Sequence, residues 1–283
     1  MAAMVLVTGA TGYVGSKLVD ELLARGEHVR TLSRRGAGKG EAFTGDVLSG
    51  NGLAEALDGV DTAYYLVHSM GSGGDFAAKD RQAAVNFAEA ATQARRVVYL
   101  GGLGSENSDH LRSRHEVANL LRARLGAKLV YVRAAMIIGP GSASYDILEN
   151  LLRKLPVMIG PRWLDTRTQP IALQDVVRTL ADLAAFDDAP AEVQLGGSDV
   201  LSYREMMRRA APLLGRRPPL VIRVPVLTPR LSSYWVTLFT PVSYGLVKPL
   251  VDGLGAEMLV EQDPPPGLND RPLSFEEAVQ AAL

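Results

Sequence analysis

Three glycines spaced three residues apart, in Thr8-Gly9-Ala10-Thr11-Gly12-Tyr13-Val14-Gly15, separate an apolar run from a helical one and constrain this chain more than any other stretch. Met4 to Thr8 reads as a short buried strand. From Gly12 to Arg25 the apolar positions Val14, Leu18, Val19, Leu22 and Leu23 recur at helical spacing, and Gly26 is placed to end the helix. A second strand, His28 to Ser33, follows at once. Strand, glycine-rich turn, helix and strand in about thirty residues make one βαβ unit.

Each glycine then has a physical task. Gly9 permits the tight turn, Gly12 lets an anion approach the backbone, and Gly15 lets the helix pack closely. Free N–H groups at the positive helix end would face that anion. The spacing in this context predicts a dinucleotide site; a merely tight turn is the alternative.

The alternation continues, with strands at Asp61–Val67, Val97–Leu100 and Lys128–Arg133 and helices at Asp75–Arg95 and Asp109–Leu125. Parallel pairing through crossover helices follows, so the expected fold class is α/β, a doubly wound parallel sheet. After Arg133, Pro-Gly punctuation breaks the rhythm. Ser202 with Glu205 and Ser274 with Glu277 still mark two helix starts as capping boxes. Residues 1–140 and 171–197 are expected to form the cofactor core. Residues 141–170 and 198–283 would form a smaller, irregular substrate lobe carrying the C-terminal helix.

Thirty Lys and Arg against 31 Asp and Glu among 283 residues argue against a partner found by bulk electrostatics, such as nucleic acid or an anionic membrane. Without cysteine there is no thiolate metal site or cysteine nucleophile, and four scattered histidines offer little for metal. The beginning of the chain lacks a basic leader, so the expected location is cytoplasmic. Leu231 to Val247 is uncharged but broken by Pro241 and Gly245, which argues against a membrane span. A small-molecule ligand and a monomer or homodimer are expected.

About twenty residues past the glycines, where a carboxylate would grip the ribose of NAD, stand Ser33-Arg34-Arg35. A hydroxyl and guanidinium groups suit a 2′-phosphate, so NADP(H) is favoured over NAD(H); a solvated basic loop is the alternative.

On these residues the chain resembles the extended and atypical branch of the short-chain dehydrogenase/reductase superfamily, NAD(P)-binding Rossmann proteins. Gly45-Asp46-Val47 is similar to that branch's adenine-contacting motif, and Asp61 to Leu66, leading into Val67-His68-Ser69-Met70, is a further match. Val67-His68-Ser69-Met70-Gly71 and Arg162-Trp163 are most similar to bacterial NAD(P)-binding proteins related to NmrA-like regulators and complex I-associated subunits. The resemblance implies cofactor contacts at Thr8, Gly9, Thr11, Gly12, Tyr13, Val14, Gly15, Asp46, Val47, Leu66, Val67 and His68. Ser69 and Met70, with Tyr145, Arg162 and Trp163 of the irregular half, are the candidate substrate contacts.

The departures fall on the catalytic set. Active relatives carry a Ser or Thr after the fifth strand and a Tyr-x-x-x-Lys pair, whose Tyr moves the proton. Here Gly101-Gly102-Leu103-Gly104-Ser105 follows the strand, His110 takes the Tyr position and Arg114 the Lys position. His110 is thus the candidate proton donor, Arg114 its partner and Ser105 a displaced hydroxyl. Otherwise His110 is a helix-start residue beside an Asp109 cap. Gly71 to Gly74 reads as a flap or an ordinary connection before an Asp75 cap. The implied activity is NADP(H)-dependent reduction of a small or medium apolar carbonyl or enone; the alternative is a non-catalytic NAD(P)-binding redox-sensing or assembly protein.

Overall fold

The computed structural model describes residues 3–68, 76–104, 108–223, 237, 239–240 and 244–283. Strand β1 (Met4–Thr8), helix α1 (Tyr13–Ala24) and strand β2 (His28–Ser33) form the expected first unit. Gly26 ends α1 at φ 81°, where Glu27 N donates to Leu22 O (3.1 Å) and Gly26 N to Leu23 O (3.0 Å). That pair of bonds is the Schellman termination a glycine permits.

Next come β3 (Glu41–Thr44), α2 (Leu53–Leu57), β4 (Thr62–Tyr65), α3 (Phe76–Ala90), β5 (Arg96–Gly102), α4 (Asp109–Leu125) and β6 (Leu129–Ala134). With the strand Glu192–Leu195 they build one seven-stranded sheet, all parallel, in the order 192–195, β6, β5, β4, β1, β2, β3. The chain begins mid-sheet and reverses direction between β1 and β4. Ligands of such sheets bind outside the strand ends at that switch point. The glycine turn follows β1 there, and Leu66 to His68 follow β4.

An all-parallel sheet needs both faces covered, and successive residues of each strand supply them. Leu6, Ala63 and Val97 join one apolar cluster; Val5, Val7, Tyr64 and Val98 join the other. Helix α6 (Leu173–Ala185) packs beside α1, tied by Arg25 to Asp182 at 2.7 Å.

A third cluster lies off the sheet. Helices α5 (Ala143–Lys154), α7 (Tyr203–Leu213) and the C-terminal helix Phe275–Ala281 pack around Met136, Leu148, Leu151 and Met206. Both capping boxes form at Ser202 and Ser274. Buried Asp175 at the start of α6 accepts from Leu273 N (2.8 Å), holding the C-terminal helix to the core. The uncharged stretch from Leu231 to Val247 lies largely outside the described residues, as does the proposed Asp75 cap. Among the described residues no helix is long and apolar enough to cross a membrane, and no cluster of His, Asp and Glu could hold a metal.

Candidate active site at the sheet switch point

Gly9 turns the chain at φ 70°, and a β-carbon there would lie 2.8 Å from Leu66 O. A β-carbon on Gly15 would lie 2.2 Å from Gly9 O, so this glycine is required because α1 packs on the preceding turn. Thr8 joins the two loops: its hydroxyl donates to Tyr64 O (2.9 Å) and accepts from Leu66 N (3.3 Å). The amino end of α1 has no side-chain cap and no acidic residue in its first turn. Its N–H groups are thus left for an anion.

A cleft of about 290 Å³ opens in front of that turn, walled by Gly9, Thr11, Gly12, Asp46, Val47 and Leu66 to His68, with Ser33 and Arg34 also on its wall. These are the residues whose pattern predicted a dinucleotide cradle, and the missing β-carbons and uncapped helix end suit a pyrophosphate. Asp46 Oδ1 accepts from Leu48 N (3.0 Å), which holds the turn at that part of the cleft wall. Ser33 is committed to its own loop, donating to Ala37 O (2.8 Å) and accepting from Ala37 N (2.7 Å). Arg34 and Arg35 are exposed and make no ion pair with a described residue; of the two, only Arg34 reaches the cleft wall.

A second cavity, about 410 Å³, continues from Tyr13 and Val14 past the end of β5 to His110, Arg114 and Tyr203. Beyond it an inner apolar pocket of about 50 Å³ is lined by Met136, Leu148, Trp163, Tyr203, Met206 and Leu250. Trp163 and Tyr203 meet edge to face at 6.0 Å, and both Trp163 Nε1 and the Tyr203 hydroxyl are buried without a hydrogen-bond partner among the described residues. The Tyr13 hydroxyl on the cavity wall also has no hydrogen bond of good geometry among the described residues. Burial pushes its phenol pKa up, although Ser142 stands close enough to offset part of that rise.

Arg114 joins the cleft to the cavity. Its Nε donates to His110 Nε2 (3.1 Å), its Nη2 to His68 Nε2 (3.0 Å) and its Nη1 to Leu100 O (3.0 Å). His110 and Arg114 share a face of α4 because they are four residues apart, and the topology brings His68 to them from β4. A guanidinium has only donors, so both imidazoles must be neutral and carry their proton on Nδ1. Electrostatics agree: burial, then the Arg114 charge, presses the pKa of His110 down to about 3 and that of His68 to about 2. The His110 ring is thus a neutral N–H donor at pH 7.

Ser108 caps α4, accepting from Leu111 N (3.2 Å), in place of the expected Asp109. Glycines 101 and 102 are set by packing. A β-carbon at Gly101 would lie 2.6 Å from the Tyr131 ring, and one at Gly102 would lie 2.7 Å from Leu111. A hydroxyl-bearing side chain has no room at either position without rearrangement.

Of the expected substrate residues, Trp163 lines the inner pocket, whereas Tyr145 is 1% exposed within α5 and lies on neither cavity wall. Arg162 begins a short 3-10 turn, but its side chain lies outside what is described. Ser69, Met70, the Gly71–Gly74 segment and Ser105 also lie outside the described residues. Sequence reasoning missed Tyr203, Met206 and Leu250. They sit on helices whose apolar periodicity reads only as core.

Residues 9–137 match the protein family described as NAD(P)H-binding. Over 268 residues the chain is 30% identical to a protein named ceramide reductase from Caulobacter vibrioides, spanning 87% of this chain and 82% of that one. It is also similar to a 3-beta-hydroxysteroid dehydrogenase of Mycolicibacterium neoaurum, 39% identical over 66 residues, 22% of this chain and 18% of the other. In fold it matches a nucleoside-diphosphate-sugar epimerase from Staphylococcus aureus, with a TM-score of 0.75 at 20% identity over 99% of this chain and all of the other. The chain belongs to the NAD(P)H-binding, oxidoreductase-like family, built on a Rossmann-type parallel sheet.

Proposed function

We propose that this chain is an NADP(H)-dependent oxidoreductase that reduces a carbonyl or enone on an apolar, lipid-like substrate in the cytoplasm. The observation that carries this reading is Arg114, whose guanidinium bonds at once to His68 on the cofactor cleft and His110 on the apolar cavity. Residues 1–140 and 171–197 would hold the cofactor, and residues 141–170 and 198–283 the substrate. Bound NADPH supplies the two electrons and one hydrogen that reduce the carbonyl carbon.

The chain's own residues would do the rest. His110 donates its Nδ1–H to the carbonyl oxygen and passes that proton on as negative charge develops. Arg114, bonded to Nε2, stabilises the charge left on the ring, as the lysine does for tyrosine in relatives with the usual pair. Leu100 O and His68 fix the guanidinium in place. The aliphatic walls exclude water and strengthen these interactions. Arg34 on the cleft wall would bind a 2′-phosphate by charge-assisted hydrogen bonds. Ser33, committed to Ala37, contributes loop shape.

The relative named ceramide reductase, and the Trp163 Nε1 and Tyr203 hydroxyl of the inner pocket, both without a hydrogen-bond partner among the described residues, support an amphipathic substrate: an apolar body with a second polar group. The rival is a non-catalytic nucleotide-binding protein, favoured by the packed glycines where a catalytic hydroxyl usually stands. The test is NADPH consumption across a panel of long-chain and cyclic ketones and enones. Turnover supports the reductase. Tight NADPH binding without turnover of any of them supports the rival.

A further inference from the structure

We propose that the outer face of the strand pair Val157–Gly160 and Leu220–Arg223 is a docking surface for an anionic lipid bilayer. The two strands are parallel, with Leu220 opposite Val157 and Ile222 opposite Ile159. Period-two alternation sends Met158 and Val221 inward onto the third apolar cluster. It leaves the outer row to Val157 (46% exposed), Ile159 (43%), Leu220 (65%) and Ile222 (51%). Eight large apolar residues are exposed among the described residues, and half of them are on this one small face. Scattered apolar exposure is ordinary, but a contiguous patch marks a contact surface.

The charge around the patch selects the occupant. Arg216 and Arg217 precede one strand by a few residues, and Arg153 and Lys154 precede the other. Parallel pairing, fixed at its start by Leu220 N donating to Pro156 O (3.0 Å), brings both basic pairs to the same end. Arg153 is paired with Glu149 and Lys154 donates to Phe239 O, whereas Arg216 and Arg217 are exposed and make no ion pair with a described residue.

The wider sequence shows the same bias. Between Glu205 and Asp252 lie seven basic residues and no acidic one, in a chain whose totals of 30 and 31 nearly cancel. The overall neutrality that argued against an anionic partner therefore hides a segregated basic segment. A second copy meeting this face by two-fold symmetry would oppose like charges. An anionic bilayer would neutralise them while its hydrocarbon boundary receives the aliphatic row. The inner face of the same strands packs on the cluster that contains Leu148, Leu151 and Met206, which line the apolar pocket. The docking face would thus lie one sheet layer from the site proposed for an apolar substrate. The inference rests on exposure and charge, and it holds whether or not the chain turns over a substrate.

The test is co-sedimentation of the full chain with vesicles of phosphatidylcholine alone or mixed with phosphatidylglycerol. The expected result is selective binding to the anionic vesicles, weakened by salt. Arg216→Glu with Arg217→Glu should weaken it at least about tenfold. Leu220→Ser with Ile222→Ser should do the same. Both pairs are exposed, so melting temperature should be unchanged in each variant. Equal partition onto neutral and anionic vesicles, or anionic binding that both double variants retain, overturns the proposal. So does a dimer that Leu220→Ser with Ile222→Ser converts to monomer in sedimentation equilibrium, because the face would then belong to a second copy.

Discussion

Replacing His110 with Gln should make the protein less sensitive to acid, by an amount that follows from the Arg114 bonds. In the unfolded chain each histidine titrates near about 6.5. In the folded protein burial and then Arg114 hold His110 near about 3 and His68 near about 2. A histidine with a depressed folded pKa contributes stability that is fully present above its unfolded pKa and is lost as pH falls toward the folded one. From pH 7 to pH 5 the unfolded state gains a proton that the folded state refuses, which removes about 2 kcal/mol per ring and about 4 kcal/mol for both. Gln at position 110 retains an oxygen to accept from Arg114 and an N–H in place of Nδ1–H, but it does not titrate. The loss of stability between pH 7 and pH 5 should shrink by about 2 kcal/mol in His110→Gln. Urea unfolding followed by tryptophan fluorescence at both pH values measures it. Taking the difference within each protein largely cancels the carboxylates common to both. An equal loss in the two proteins would refute the neutral ring and the tautomer inferred from Arg114.

Other substitutions probe the rest of the site. Arg34→Asp should weaken NADPH binding by about 10- to 100-fold, the value of a charge-assisted hydrogen bond, and leave NADH nearly unchanged; fluorescence titration with each nucleotide reads the difference. Gly101→Ser should not restore a catalytic hydroxyl but should destabilise the protein by about 1–3 kcal/mol, because its β-carbon meets the Tyr131 ring at 2.6 Å, and denaturant melts test this. Trp163→Phe and Tyr203→Phe should each raise KM for a substrate carrying a second polar group, while a substrate lacking that group shows little change in steady-state assays.

The first βαβ unit was legible because its signals are local. Gly26, the apolar spacing of α1 and the β2 run each act within a few residues. The capping boxes at Ser202 and Ser274 were legible for the same reason. Glu41–Thr44 and Glu192–Leu195 were not, since neither has an apolar run or alternation strong enough to mark a strand. They are strands because β2 and β6 offer parallel edges from distant sequence. The site divides in the same way. Glycines 9, 12 and 15 announce the turn in front of which the cleft opens. The bond of Arg114 to His68, 46 residues away, exists only because β4 and β5 are neighbours in the sheet. The neutrality of His110 depends on burial, which no motif records.

The most direct measurement of the central claim is transfer of deuterium from NADPH labelled at nicotinamide C4 to the product carbon, read by mass spectrometry with an apolar ketone as substrate. The account predicts one deuteron on the new carbinol carbon, formed at least about 100-fold more slowly by His110→Ala, the usual scale of a lost proton donor. Undiminished transfer in His110→Ala would remove the Arg114–His110 pair from the chemistry. No transfer to any ketone or enone, with NADPH still tightly bound, would contradict the reductase itself.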